Sequence, residues 1–388
     1  MTKSGACIIC RSNALIGFLH IERVPVSCNH LCFDQKAALH AAQAPISLHF
    51  CSDCGHVFNL GHDPTRLNYQ PGYENSLRGS ERFRQYDEAL VQLLIERYEL
   101  HNRFIIEIGC GRADFLRTLC ERGGNFGLGY DPSYSRTNNR DCESNRVVIR
   151  SEVYSGWETE RRPDFLFSRH TLEHVADPCE ILRNMRTATG QSSIPVFFEV
   201  PNGLYTLRDA GIWDIIYEHC SYFTPTSLAR LFNETGYEGV VIAEAFGGQF
   251  LTVHARTGIS TGKRMTNSTS HVEDLVRAFV DTYHNKLREW TLRLQQLARQ
   301  GRRVALWGAG AKAATFLNLL HPSGIDYVVD VNPRKDGCYM IGTGQRIVSP
   351  QFLLEYRPDD IICMNPNYLE EISRQILALQ LRATLLAA

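Results

Sequence analysis

The segment "RFIIEIGCGRADFL" (103–116) constrains this chain more than any other. An apolar run, Phe104 to Ile108, stops at Gly109 and Gly111 and gives way to a helical pattern. Strand, glycine turn and helix N-terminus, in that order, commit the region to a parallel sheet, since a parallel partner needs a helical crossover. "FGLGYDPS" then predicts the next strand, with Asp131 at its end, 20 residues beyond Gly111. A carboxylate there can accept both hydroxyls of a ribose. The theme returns in "RVALWGAGAKAATFLNLL", where Gly308 and Gly310 precede Lys312, and "DYVVDVNP" puts Asp330 at a strand end 22 residues after Gly308. Taken alone, this second unit looks like half of a dinucleotide-binding fold, with Lys312 in the phosphate-facing loop.

A chain of 388 residues is too long for one ordinary core. It is 44% hydrophobic and 21% charged, as globular proteins are. A net charge of −1 argues against nucleic-acid or anionic-membrane partners. With no basic-then-apolar leader and no apolar run of bilayer length, the expectation is a cytoplasmic protein. Thirteen cysteines, an odd number, read as reduced thiols plus a metal site. "CIIC" (Cys7, Cys10) and "CSDC" (Cys51, Cys54) are two knuckles of the kind that close around a tetrahedral zinc ion. Cys28, His30 and Cys32 between them rank lower, because the four knuckle thiolates already complete a closed site. Such a site supports folding rather than chemistry.

Residues 82–98 carry helical spacing through Phe83, Tyr86, Leu90, Leu93 and Leu94, with Tyr73 and Ser76 upstream. "DFLFSRHTLEHVADP" (164–178) predicts a buried strand and a loop holding His170, Glu173 and His174. His170 and His174 have metal-ligand spacing for a helix, but no third ligand with convincing spacing follows. "IPVFFEVPN" predicts another strand, ending in Glu199, Pro201 and Asn202. Ligands of doubly wound sheets lie at strand C-termini, so these segments can line one cleft. Residues 271–301 predict a long amphipathic linking helix, its stripe including Leu275, Phe279, Tyr283, Leu287 and Trp290. "GTGQ" (342–345) and "MNPNY" (364–368) are turn-rich rims of the second unit. "GIWDIIYEHCSYFT" (211–224) packs Asp214, Tyr217, Glu218, His219 and Tyr222 together, which suits proton transfer or a surface turn with one satisfied histidine.

Paired knuckles followed by two such sheets, with the phrases "EIGCGRADFL", "GYDPS", "TLEHV", "FEVPN", "YEHCSYFT", "FGGQF", "VALWGAGAK", "VVDVNP", "GTGQ" and "MNPNY", resemble the sugar C-methyltransferases that act on nucleotide-activated keto-deoxysugars. The resemblance covers essentially the whole chain. It implies an α/β protein with a zinc-binding module over 1–68, a class I S-adenosylmethionine methyltransferase domain over 69–262, and a linker helix with a Rossmann-like substrate-binding domain over 263–388. It places the cofactor at Glu107, Gly109, Gly111, Asp131, Pro132 and His170. Ala113 stands where the family's ExGxGxG motif has its third glycine. The nucleotide sugar would meet Tyr73, Ser76, Glu199, Asn202, Lys312, Asp330, Asn332 and Asn365.

The implied reaction is removal of the acidic proton beside a ketone and attack of the enolate on the methyl group, with no metal needed. The stretch at 211–224 resembles the family's FDxIYHEHxSYF segment, with Glu218, His219, Ser221, Tyr222 and Phe223 in line. This chain is one residue shorter ahead of Glu218, so Ile216 falls where the family has its tyrosine and Tyr217 where it has a histidine. His219 is the expected base, with Tyr217 as relay, His174 as donor to the enolate oxygen, and Glu218 and Tyr222 beside them. Three rivals remain: methylation of nitrogen or oxygen, a nicotinamide-dependent oxidoreductase built on the third region, and a non-enzymatic role in which the two sheets serve only as an assembly module. Oligomeric state is open.

Overall fold

The computed structural model describes residues 5–67, 72–134, 146–156, 161–190, 192–258 and 268–388. Both expected domain boundaries, after 68 and after 262, lie outside the described residues. Three sheets organise the rest. The first holds β1 (Leu15–Pro25), β2 (Gln43–Cys51) and β3 (Val57–Asn59), all antiparallel. The second begins with the parallel strands β4 (Phe104–Ile108), β5 (Phe126–Tyr130), β6 (Val147–Arg150), β7 (Phe165–Arg169) and β8 (Pro195–Pro201). Next, β9 (Ser221–Tyr222) leaves this sheet and pairs with β3 of the first. The chain then returns with β10 (Tyr237–Ala245) and β11 (Phe250–Thr257), β11 lying antiparallel between β8 and β10. The order is β6-β5-β4-β7-β8-β11-β10. The third sheet is wholly parallel: β12 (Val304–Trp307), β13 (Tyr327–Val329), β14 (Arg346–Val348), β15 (Asp360–Cys363) and β16 (Thr384–Ala387), ordered β14-β13-β12-β15-β16. Each parallel sheet therefore has a switch point beside its first strand, where a crevice opens.

β4 reads as a continuous apolar run because helices cover both its faces. Only Glu107 breaks that run, and it too is buried. The helix Glu81–Tyr98 starts at Ser80, whose hydroxyl accepts from Phe83 N. Glu371, from the helix Leu369–Ala378 beside the third sheet, accepts from the N–H groups of Glu81 and Arg82 and from the Ser80 hydroxyl. A carboxylate on a helix N-terminus has the favourable sign and ties the second and third sheets together. Phe83, Leu90 and Leu94 face inward, whereas Leu93, expected on the same face, points to solvent, a quarter-turn from Leu94.

The linking helix runs Ser270–Arg299 and packs against β1 and the helix Gly203–Arg208. Val272, Val276, Phe279, Tyr283, Trp290, Leu294 and Leu297 are buried, while Leu275 and Leu287 sit at the margin of that stripe. One continuous apolar core joins the first sheet, residues 212–217, this helix and the third sheet. The segment 211–224 is thus no surface turn: Trp213 sits edge-on to Phe316 at 4.8 Å, and Trp290 meets the same ring at 5.3 Å. Among the described residues, no helix is long and apolar enough to cross a membrane.

Candidate active site

The first glycine loop follows β4. Gly109 N and Cys110 N donate to Tyr130 O, and Gly111 N donates to Asp131 Oδ2 at 2.7 Å. Ser133 holds the other oxygen of Asp131 through its N–H and its hydroxyl, and Pro132 is exposed beside them. Gly109 has φ of 72°, and a Cβ there would stand 1.9 Å from Thr171 Oγ1. That position needs glycine for space as well as for backbone. Gly111, with φ of 52°, faces open space with nothing within 4 Å of an added Cβ. Below it, Glu107 Oε2 is buried without a hydrogen-bond partner. Burial holds this carboxyl well above the usual carboxylate range, against the opposing pull of Arg169.

Across the switch point, Glu199 at the end of β8 is completely enclosed. Arg169 Nε and Nη2 donate to its Oε1 at 3.0 and 2.8 Å, and the Tyr86 hydroxyl donates to Oε2. His170 Nε2 lies 2.8 Å from the same Oε1. Burial pushes this carboxyl up, but Arg169 and His170 outweigh it and hold it near 2. Arg169 also reaches Asp87 at 2.9 Å. Glu199 therefore anchors buried neighbours and presents no free carboxylate to a substrate. His170 belongs to this network and not to a His170–His174 metal pair.

The loop 170–174 carries the crevice toward the segment 211–224. Thr171 packs on Gly109, and Thr171 O accepts from His174 N. His174 Nδ1 lies 3.0 Å from Glu218 O, and a carbonyl can only accept, so the proton is on Nδ1. Burial lowers this histidine to about 4. In that neutral form a donor role toward an enolate oxygen would require the ring to take up a second proton. The His174 and His219 rings meet edge-on at 4.9 Å. His219 is only partly exposed, and burial, His174, His170 and Lys312 together hold it well below the ordinary histidine value.

The rest of the segment is braced from outside. Glu218 is fully buried; its Oε2 accepts from Cys28 N at 3.0 Å, and burial raises it to about 7, while Cys28, Tyr73 and Ser27 oppose the rise. The Tyr222 hydroxyl spans Ile216 N and Ile216 O at 3.1 Å each, so it holds the turn rather than handling a proton. Ile216 is buried in the core. The Tyr217 hydroxyl accepts from Asp63 N at 3.0 Å, in the first module.

The second glycine loop mirrors the first. Ala309 N donates to Asp330 Oδ2 at 2.8 Å and Asn332 N to Oδ1 at 2.8 Å. Here a buried lysine, Lys335, is added, 3.4 Å from Oδ2 and donating to Ala309 O. Gly310, like Gly111, faces open space. Lys312 forms an ion pair with Asp214 of the segment 211–224, a link the sequence did not suggest. Asn332 donates to Glu74, Ser76 N donates to the same carboxylate, and Asn29 donates to the Tyr73 hydroxyl. Asn365 exchanges two amide hydrogen bonds with Gln249 at 2.8 and 2.9 Å, joining the two rims. Asn202 caps the helix Gly203–Arg208 and donates to Gly248 O, a structural duty.

In the first module, Cys7 and Cys54 Sγ lie 3.5 Å apart and Cys10 and Cys51 Sγ 3.6 Å apart, and all four sulfurs lie within 4.8 Å of one another. Tetrahedral zinc with sulfur at about 2.3 Å needs sulfurs about 3.8 Å apart. The donor set fits. Cys28 lies elsewhere, against Glu218.

Residues 79–242 match the methyltransferase domain family, and residues 264–384 match the C-methyltransferase C-terminal domain. Over 94% of its length, and 90% of the relative's, the chain is 24% identical to the C-methyltransferase NovU of Streptomyces niveus. Between them the two matches span most of the chain, a methyltransferase domain followed by a C-methyltransferase C-terminal domain. Solved structures align less closely. Magnesium protoporphyrin IX methyltransferase of Synechocystis PCC 6803 is 12% identical, with a TM-score of 0.36 over 49% of this chain and 91% of that one. A methyltransferase of Archaeoglobus fulgidus is 18% identical, with a TM-score of 0.34 over 46% and 97%.

The enzyme is an S-adenosylmethionine-dependent methyltransferase. The residues present suit that cofactor: open space over Gly111, the Asp131 carboxylate at the strand end, and the unpartnered Glu107 Oε2. Carbon methylation is the chemistry named by the C-terminal domain match and by the curated relative. Asp131→Ala should weaken cofactor binding by about 2–3 kcal/mol through loss of charge-assisted bonds; calorimetry finding unchanged affinity would exclude Asp131 as the ribose acceptor. Metal analysis of enzyme purified without chelator should give one zinc per chain. Chelation should unfold the first module, and with it the pairing of β3 to β9 beside His219. Full activity in zinc-free enzyme would refute a structural role for the metal.

Proposed function

We propose that this C-methyltransferase acts on a nucleotide-linked 4-keto-deoxysugar, with dTDP as the nucleotide, and methylates the carbon beside the ketone through an enolate. The observation that carries the proposal is the place of His219. Its ring stands edge-on to that of His174 at 4.9 Å, and Asp214 of the same segment pairs with Lys312 beside the third sheet. His219 removes the proton. S-adenosylmethionine supplies a methyl carbon made electrophilic by its sulfonium. His174, through its bond to Glu218 O, positions the His219 segment.

Lys312 and the N-terminus of the helix Ala311–Leu319, which has no side-chain cap, receive the diphosphate. The diphosphate competes with Asp214 for Lys312. Its negative charge offsets the lysine that depresses His219, so substrate binding strengthens the base. Tyr217→Phe should leave turnover within about twofold, and cost about 1 kcal/mol of stability for the lost bonds to Asp63. A large loss of turnover would put the phenol back into the proton relay.

The test is incubation with methyl-labelled S-adenosylmethionine and a panel of nucleotide 4-keto sugars, locating the label by NMR. Label on the carbon beside the ketone is expected. Label on nitrogen or oxygen, or no acceptance of any keto sugar, would overturn the proposal.

A further inference from the structure

Glu173, His174 and His219 offer one carboxylate oxygen and two imidazole nitrogens that all lie within 4.8 Å of one another. Glu173 is 1% exposed, and its Oε2 has no hydrogen-bond partner. Its backbone carbonyl, by contrast, is engaged by Cys220 N and Sγ, which fixes the residue in place. His174 is held by the Glu218 carbonyl through Nδ1, and its Nε2 lies 3.9 Å from Glu173 Oε1. The His219 ring stands edge-on to that of His174, with its centre 4.9 Å away.

A histidine whose second nitrogen is fixed by a backbone carbonyl, beside another histidine and a carboxylate, is the environment that borderline divalent transition ions take. Nitrogen ligands sit about 2.0–2.1 Å from such an ion. Ligand atoms now within 4.8 Å of one another must close to about 3.3 Å around a tetrahedral ion, and His219 is on the partly exposed side of the group.

We propose that Glu173, His174 and His219 form a second metal site, separate from the four cysteines, for a divalent transition ion such as Ni²⁺ or Zn²⁺. An ion bound there uses the His219 lone pair, which then accepts no proton. Occupancy therefore switches the enzyme off. That consequence rests on His219 being the base; the binding itself does not.

The test uses full-length enzyme carrying one zinc per chain, free of chelator and titrated with Ni²⁺. Calorimetry and metal analysis after desalting read the stoichiometry. The expected result is one nickel per chain with the zinc retained, and methyl transfer falling in step with occupancy. Glu173→Gln should weaken nickel binding at least about tenfold while keeping zinc and S-adenosylmethionine binding. His219→Asn, on the exposed side, should do the same and decides the matter if Glu173→Gln does not fold. No saturable nickel binding, or binding unchanged in the folded variants, would overturn the site. Nickel bound at one equivalent with turnover intact would support the site and overturn the role of His219 as base.

Discussion

His219→Asn is expected to abolish two reactions together: methyl transfer, and exchange of the substrate's acidic proton with deuterium from solvent. Exchange needs only a base, so it should run in wild-type enzyme with S-adenosylmethionine left out. A general base typically contributes 10²–10⁴-fold, and both rates should fall by about that much. Cofactor affinity should be kept, because Asp131 and the loop at Gly109 and Gly111 share no hydrogen bond with His219. Asparagine fills a similar volume and can donate and accept, so the segment stays braced by the Tyr222 bonds to Ile216. Mass spectrometry of recovered substrate reads exchange separately from methylation. Loss of methylation with exchange intact would assign His219 to alignment of the methyl group. Normal rates of both would remove it from the chemistry.

What could be read in the sequence was local. Phe104 to Ile108, the glycines after it and Asp131 form one β-α-β unit, and the spacing alone puts the carboxylate where Gly111 N meets it. The cysteine knuckles were legible for the same reason, since each turn presets two sulfurs. Long-range contacts carry no such local signature. Nothing in "CSYF" announces that Ser221 and Tyr222 will pair with Phe58 and Val57 of the first module. Nor does the spacing around Tyr217 say which way the phenol turns; the backbone of Asp63 decides that. Lys312, expected in the glycine loop, stands in the first turn of the helix Ala311–Leu319, and its partner Asp214 comes from a segment 98 residues earlier. Leu93 satisfied a helical pattern and still faces water, because the packed face is narrower than the pattern allows. The clearest missed signal is Arg169. A guanidinium closing an otherwise apolar strand, "DFLFSR", must find buried carboxylates, and a search for them could have singled out Asp87 and Glu199.

That network sets the second large expectation. Arg169→Met should destabilise the protein by about 3–5 kcal/mol, the usual cost of leaving buried charge uncompensated. Arg169 lies over the Phe115 ring at 4.1 Å and holds Asp87 at 2.9 Å and Glu199 at 2.8 Å, all three ionic partners being buried. Methionine fills much of the space and supplies no charge, so the loss is electrostatic rather than a cavity. The pH dependence checks the cause. In wild type the Glu199 carboxyl, near 2, lies below its unfolded value of about 4.3. Its contribution is complete above that unfolded value and is lost as pH falls toward 2. In the variant, burial without the guanidinium raises the same carboxyl above its unfolded value. The penalty is then largest at neutral pH and is relieved as pH falls toward 4. Both effects narrow the gap between the two proteins on acidification. Urea unfolding of both from pH 7 to pH 4 should show that narrowing. A gap that is constant with pH, or smaller than about 1 kcal/mol at pH 7, would mean that packing around Phe115 and not the buried charges holds β7 and β8 in register.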